Sequence, residues 1–192
     1  MMIPFNHLGY IFKRFGKWVY PYAVKEELCL SLKDVISKSK VLDVGSGTGM
    51  MSEFAYLCRE DLELHAIDPA EGMLKYSEAY IETYKGVAEE LPFDDSSFEV
   101  LLMGESLHHF RDINKSLEEC ARILGDKGKL FIYDFNLDTF MGKTICRAEK
   151  LLGEPGNFFE PETLKKILEK YGFTVTIKKY SWRYTILAIL EK

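Results

Sequence analysis

Three alternate glycines at positions 45, 47 and 49 follow the short apolar segment Val41–Val44. An apolar run, a glycine turn and then the helical pattern of residues 50–57 are typical of a strand, loop and helix in an open α/β sheet. Glycine lets the backbone pass close to a ligand, because no Cβ atom intervenes and positive φ is allowed. Unpaired N–H groups at the start of the helix attract polar ligand groups. The stretch therefore predicts either a plain tight turn or a ligand crevice at the carboxyl end of a buried strand.

The composition is that of an ordinary globular protein. Of the 192 residues, 47% are hydrophobic and 29% are charged, and the length favours one domain. The formal net charge of −5 argues against a dedicated nucleic-acid-binding protein. No apolar run is long enough to cross a membrane. Isolated cysteines, without a partner at metal-ligand spacing, predict reduced thiols in a cytoplasmic protein: Cys29, Cys58, Cys120 and Cys146.

An acid stands at the end of the second predicted strand. Asp68 lies about 20 residues beyond the glycines, the offset at which a carboxylate accepts the hydroxyls of a ribose. The alternative role is a helix N-cap, because Pro69 is a good first residue for a helix running to Ile81. A dinucleotide fingerprint would need its third small residue at position 50, and that position holds Met50. The glycine spacing therefore disfavours a nicotinamide oxidoreductase.

Three stretches resemble one enzyme family. The D-x-G-x-G-x-G pattern of residues 43–49 resembles motif I of the class I S-adenosylmethionine-dependent methyltransferases. Residues 88–103, AEELPFDDSSFEVLLM, resemble the signature of the small-molecule, "methyltransferase type 11"-like branch of that family. Residues 122–134 resemble the family's R-x-L-x-x-G-G stretch and its following acid. The chain departs from the family at Val87, where an acid usually precedes the alanine, and at Lys127, where the first glycine of the G-G pair often stands.

The resemblance implies an α/β fold: a Rossmann-like, doubly wound and mostly parallel seven-stranded sheet of order 3-2-1-4-5-7-6. An antiparallel strand comes near the C-terminus. We expect one domain over residues 1–192. It consists of an N-terminal helical cap (1–38), a cofactor-binding core (39–135) and a substrate-side insertion with a final hairpin (136–192). Strands are expected near residues 84–87 and 129–135. The aromatic-rich residues 1–22 are expected to contain a helix that is docked on the core, acts as a lid over the active site or binds a membrane surface.

The same resemblance implies S-adenosylmethionine as the cofactor. The glycines would pass under its methionine part, with Asp43 orienting the loop. Asp68 would bind the ribose, and the adenine would lie among side chains that follow the second and third strands. The residues expected to bind the cofactor are Asp43, Gly45, Gly47, Gly49, Asp68, Met73, Ala88, Glu89 and Gly104.

Candidate catalytic residues lie at the carboxyl ends of the fourth and fifth strands. His108 and His109 are candidate general bases, since the pKa of histidine lies near working pH. Glu105 and Asp134 reach the same edge of the sheet and are further candidates. We expect no metal site, because neighbouring histidines on an extended chain point apart.

The sequence therefore predicts transfer of a methyl group from S-adenosylmethionine to a small-molecule acceptor. Two alternatives stay open: methylation of a macromolecule such as RNA or protein, and cofactor binding without catalysis. The expected partner is a small molecule rather than nucleic acid. The sequence indicates neither the acceptor nor the oligomeric state.

Overall fold

The computed structural model describes residues 9, 10, 13, 14 and 20–192. Its centre is a seven-stranded sheet of order β3-β2-β1-β4-β5-β7-β6, the order expected from the resemblance. The strands are β1 (Lys40–Val44), β2 (Glu63–Asp68), β3 (Ile81–Lys85), β4 (Phe98–Gly104), β5 (Leu124–Phe135), β6 (Phe173–Tyr180) and β7 (Arg183–Leu190).

The first five strands run parallel, and β7 is antiparallel to both β5 and β6. In the middle of the sheet, Val41 of β1 pairs with Leu64 of β2 on one side and with Val100 of β4 on the other. The sequence order reverses between β1 and β4. A crevice therefore opens at the carboxyl ends of these two strands, where open α/β sheets bind ligands.

Helices cover both faces of the sheet. They are α1 (Tyr22–Leu32), α2 (Met50–Cys58), α3 (Glu71–Leu74), α4 (Ile113–Ile123), α5 (Phe140–Leu151) and α6 (Pro161–Lys170). The apolar side chains of α1 and α2 form one buried cluster with the sheet, and those of α4 and α6 form another. Burial of the sheet on both faces explains why β1 and β4 are nearly continuous apolar runs.

Several predicted boundaries are wrong. The helix expected from Pro69 to Ile81 is only one turn, α3, because Ile81 is buried as the first residue of β3. Strand β3 ends at Lys85 and so lies nearer the N-terminus than the predicted residues 84–87. Strand β5 begins at Leu124, directly after α4, because Leu124 pairs with Phe98 ahead of a register shift in β4.

The N-terminal aromatic residues lie mostly outside the described residues, and so does the helix predicted for them. Tyr20 is described, and its ring packs against Phe54 and Tyr133, with centroids 5.3 and 5.2 Å away. Lys13 pairs with Glu53 and Glu78. The lid stays a prediction.

A disulfide joins Cys29 of α1 to Cys58, the last residue of α2. The expectation of reduced thiols is therefore wrong for this pair. The two cysteines stand 29 residues apart in sequence and become neighbours only because α1 packs on α2. Cys120 and Cys146 are free and buried. In the part of the chain that the structure describes, no helix has the length and apolar character needed to cross a bilayer.

Candidate active site

The glycine loop joins β1 to α2 at the carboxyl end of the sheet. Gly45, Gly47 and Gly49 have φ values of +68°, +55° and +77°, which side chains rarely allow. A Cβ atom on Gly45 would lie 2.6 Å from the Cβ of Ser106, in the loop after β4. The loop therefore keeps its path only with glycine, and it brings the ends of β1 and β4 together.

Asp68, the last residue of β2, is bound to this loop. Its Oδ2 accepts a hydrogen bond from Gly47 N at 2.8 Å, and its Oδ1 accepts one from Ala70 N at 2.7 Å. Burial raises the pKa of the Asp68 carboxyl, although both hydrogen bonds act in the opposite direction. Each carboxylate oxygen keeps a second lone pair, which is the acceptor capacity that two adjacent hydroxyls require.

Asp43 lies beneath the glycine loop and not on the cavity wall. Its Oδ2 accepts hydrogen bonds from both the N–H and the hydroxyl of Ser52, each at 3.1 Å. Burial, together with the charge of Asp68, raises the pKa of Asp43 to about 7, against the effect of these hydrogen bonds. The side chain ties the end of β1 to the first turn of α2, as expected for a residue that orients the loop.

A cavity of about 590 Å³ opens beside the loop. This volume lies within the range of sites that bind small molecules and cofactors. The cavity brings together ten of the thirteen residues predicted from the sequence: Gly45, Gly47, Asp68, Met73, Ala88, Glu89, Gly104, Glu105, His108 and His109. The other three, Asp43, Gly49 and Asp134, lie behind its wall.

The adenine side of the cavity is the region around Met73, Ala88 and Glu89. Met73 and Ala88 are buried, and the methyl end of Met73 reaches the underside of Gly47. The Oε1 atom of Glu89 accepts hydrogen bonds from the N–H groups of Arg111 and Asp112, at 2.7 and 3.2 Å. The Glu89 carboxylate thus holds the loop before α4 as well as lining the cavity.

The residues present fit a nucleoside cofactor with a cationic sulfur. The hydroxyl of Ser46 is buried at the cavity wall and makes no hydrogen bond to any residue that the structure describes. The carboxylate of Asp68 supplies negative charge and acceptor oxygens. A buried polar group without a partner costs free energy unless a ligand satisfies it.

Opposite the loop, a buried pair joins the turn after β4 to the end of β5. Nδ1 of His108 lies 2.7 Å from Oδ1 of Asp134, and both side chains are almost completely buried. Burial lowers the pKa of His108, but Asp134, Glu149 and Glu105 together raise it above its ordinary value. Since a carboxylate only accepts hydrogen bonds, Nδ1 carries the hydrogen and Nε2 is turned toward Glu149.

The two histidines do not point apart. They belong to a 3-10 turn, Leu107–His109, and their ring centroids are 4.1 Å from each other. With Glu149 of α5 they place three potential metal-ligand atoms within 4.8 Å of one another. The expectation that the two histidines point apart is therefore wrong, because the backbone here forms a 3-10 turn and is not extended. Burial and the neighbouring His108 lower the pKa of His109 to about 3.

Glu105 follows β4 with a φ of +53° and pairs with Arg183, the first residue of β7. The Oε1 atom of Glu105 lies 2.6 Å from a guanidinium nitrogen of Arg183. Burial raises the pKa of Glu105 to about 7, against the effect of Arg183. The guanidinium also stacks 4.0 Å from the ring of Trp182. This pair closes the cavity wall on the side of the C-terminal hairpin.

The cavity residues that were not predicted from the sequence include Tyr20, Glu149 and Glu154. Residues Gly142, Cys146 and Glu149 follow i, i+4, i+7 spacing on α5, and this pattern was the available signal that Glu149 faces inward. Glu154 lies in the irregular segment after α5, with its Oε2 atom 3.5 Å from Nδ1 of His109. No local pattern marks that position.

Known proteins resemble the chain over most of its length. A family model described as "Methyltransferase domain" matches residues 42–132. A demethylmenaquinone methyltransferase of Thermotoga maritima is 32% identical, over 74% of this chain and 73% of that protein. A ubiquinone/menaquinone biosynthesis C-methyltransferase of Idiomarina loihiensis is 27% identical, over 70% of this chain and 66% of its own length.

Solved structures share the fold. The crystal structure of YcgJ from Bacillus subtilis superposes with a TM-score of 0.72 at 15% identity, over 90% of this chain and all of the other. The family match, the identity to the Thermotoga protein and the strand order agree with one another. The chain belongs to the class I S-adenosylmethionine-dependent methyltransferase family and is an enzyme of that type.

Proposed function

We propose that this enzyme methylates a small-molecule acceptor that carries an ionisable hydroxyl group and binds on the His108 side of the cavity. The observation that carries the proposal is the continuity of the cavity. One space of about 590 Å³ is lined by Gly47 and Asp68 at one end and by His108 at the other. A donor and an acceptor bound together in that space would meet above Gly104, at the end of β4.

On the donor side, the proposed contacts follow from the hydrogen bonds already made. Asp68 binds the ribose hydroxyls with the lone pairs that Gly47 and Ala70 leave unused. Gly45 and Gly47 let the backbone pass under the methionine part, while Met73 and Ala88 enclose the adenine. Asp43 and Gly49 act from behind the wall by holding the loop. When bound, the cofactor supplies a methyl group already activated by the sulfonium.

On the acceptor side, His108 presents Nε2 to the cavity, because Asp134 fixes Nδ1 from behind. Asp134 is thus a positioning residue and not a catalytic one. Glu105 is paired with Arg183 and shapes the wall, and the ring of His109 lies tilted beside that of His108. The ring of Phe135 packs beside His108, with centroids 5.3 Å apart, and helps exclude water from the acceptor. Alignment of the acceptor with the methyl group accounts for much of the rate enhancement.

The names of two relatives support an acceptor of the hydroquinone class: the demethylmenaquinone methyltransferase and a ubiquinone biosynthesis O-methyltransferase of Bartonella quintana, which is 26% identical over 79% of this chain and 69% of that protein. The test is incubation of the purified chain with methyl-labelled S-adenosylmethionine and a panel of hydroquinones, simple phenols, amines, RNA and whole-cell protein. We expect label in a hydroquinone and formation of S-adenosylhomocysteine. Label confined to RNA or protein would replace the proposal with macromolecule methylation.

Cofactor binding without label in any acceptor would instead support a non-catalytic binder. The net charge of −5 weighs against RNA as the acceptor.

We keep the cytoplasmic location as part of the proposal, and the Cys29–Cys58 pair makes it testable. Disulfides are rare in most reducing cytoplasms. Rapid alkylation of the chain in intact cells would show whether that pair is oxidised there.

A further inference from the structure

We propose that His108, His109 and Glu149 form a binding site for a divalent transition-metal ion of the zinc class, at the acceptor end of the cavity. The inference deepens the proposed function and rests on it, because the ion would hold the acceptor hydroxyl. The three side chains would act together as metal ligands, which gives Glu149 a role in the cavity.

The ligand atoms match such an ion in type and spacing. Two imidazoles and one carboxylate are the ligands found in many zinc sites, and they leave a further coordination position open. The three ligand atoms lie within 4.8 Å of one another, and His108 Nε2 lies 3.6 Å from Glu149 Oε2. Bonds of about 2.0–2.1 Å to a tetrahedral ion place ligand atoms about 3.3 Å apart. Small side-chain rotations close the difference.

The surroundings of His108 are those of a metal-bound histidine. Such histidines donate their second ring N–H to a carboxylate, which fixes the tautomer and orients the ring. Asp134 makes this contact with Nδ1 at 2.7 Å, and it leaves Nε2 for the ion. Asp134 is itself held, because its Oδ1 accepts a hydrogen bond from Phe135 N.

The charges around the site also favour a cation. Four carboxylates surround the two histidines: Glu105, Asp134, Glu149 and Glu154. Arg183 pairs with Glu105. The Oε2 atom of Glu149 is buried and accepts no hydrogen bond from any residue that the structure describes. Clustered buried carboxylates repel one another unless a positive charge lies among them.

The open position of the ion would face the cavity that His108, His109 and Glu149 all line. An acceptor hydroxyl bound there loses its proton to solvent more readily, because the cation stabilises the oxyanion. The oxygen then forms its bond to the methyl carbon as the carbon–sulfur bond breaks, and the sulfur keeps the electron pair.

The test uses the full chain after treatment with a chelator. Zn²⁺ binding is measured by competition with a chromophoric chelator, and Co²⁺ binding by its ligand-field absorption. The variants are Glu149→Gln, His109→Asn and the control His65→Gln. His65 is a matched control because its Nδ1 also lies near a carboxylate, 3.4 Å from Glu82, but far from the proposed site. Circular dichroism and thermal unfolding check the fold of each.

We expect one Zn²⁺ per chain, tetrahedral Co²⁺ absorption and at least a tenfold loss of affinity in Glu149→Gln and His109→Asn, with no loss in His65→Gln. No stoichiometric binding, or equal affinity in folded Glu149→Gln, would overturn the inference. Titration of the metal-free chain with S-adenosylhomocysteine distinguishes an error in the metal site from an error in the proposed function. If the nucleoside binds but zinc does not, the metal site alone is wrong; if neither binds, the proposed function falls as well.

Discussion

Oδ1 of Asp134 lies 2.7 Å from Nδ1 of His108, and this contact joins the end of β5 to the turn after β4. Both side chains are buried, so the hydrogen bond competes little with water. The contact decides which ring nitrogen of His108 faces the cavity. The acceptor half of the proposed mechanism depends on this orientation.

Asp134→Asn tests that orientation. The amide keeps the size of the side chain but removes the charge that holds the hydrogen on Nδ1. His108 therefore presents an unprotonated Nε2 to the cavity less often. We expect kcat to fall by about 10–100-fold, which is typical for loss of a residue that orients a ligating or catalytic histidine. The Kd for S-adenosylhomocysteine, measured by calorimetry, is expected to stay unchanged.

Asp138→Asn is the control, because Asp138 is an exposed aspartate just beyond the same strand. An Asp134→Asn variant with the kcat of the wild type would contradict the role of Asp134. An equal loss of kcat in both variants would show a general effect of charge at this edge of the sheet.

Asp43 predicts a pH dependence of stability. Its pKa of about 7 in the folded chain is above the ordinary value of 3.8. The folded chain therefore binds this proton more tightly than the unfolded chain, and the proton raises the free energy of unfolding. This stabilisation is fully present below about pH 4 and is lost as the pH rises through 7. Asp43→Asn carries no such proton and keeps an oxygen that can accept from Ser52.

Urea unfolding of the wild type and Asp43→Asn, at pH 5 and pH 8 without cofactor, measures the effect. Relative to the wild type, we expect the variant to gain about 3 kcal/mol between the two pH values, at about 1.4 kcal/mol per pH unit from pH 5 to about 7. A difference between the two proteins that is independent of pH would show that Asp43 is already ionised at pH 5.

The disulfide predicts sensitivity to reductant. Cys29 and Cys58 close a loop over a sequence separation of 29, for which loop entropy corresponds to about 3–4 kcal/mol of stability at 25 °C. We expect reduction to lower the free energy of unfolding of the wild type by this order. The double variant Cys29→Ser, Cys58→Ser has no bridge, so we expect its free energy of unfolding to be the same with and without reductant. Equal unfolding midpoints of the wild type with and without reductant would contradict the bridge.

The sequence predicted the central part of the fold well, for physical reasons. The glycines at 45, 47 and 49 mark a turn that only positive φ allows, and Asp68 ends a strand at the offset expected for ribose binding. The final hairpin expected from the sequence is formed by β6 and β7, in which apolar residues of high β propensity flank a tight turn. Local backbone chemistry sufficed at each of these places.

The features that were missed depend on tertiary packing. Cys29 meets Cys58 only when α1 lies on α2, and the two histidines meet only because their backbone makes a 3-10 turn. Glu149 enters the site from α5, 40 residues further along the chain than His109. The shortness of α3 follows from the need to start β3 at Ile81. None of these constraints is visible in a local sequence window.

The central claim is that Asp68 holds the ribose of S-adenosylmethionine, and paired calorimetric titrations test it most directly. The ligands are S-adenosylhomocysteine and its 2′-deoxy analogue, and the proteins are the wild type and Asp68→Asn. A hydrogen bond to a charged group contributes about 1.5–3 kcal/mol, so we expect the wild type to bind the deoxy analogue about 10–100-fold more weakly. We expect Asp68→Asn to bind both ligands weakly and to discriminate little between them. Equal discrimination by the two proteins would contradict the claim, because the 2′-hydroxyl would then be bound elsewhere.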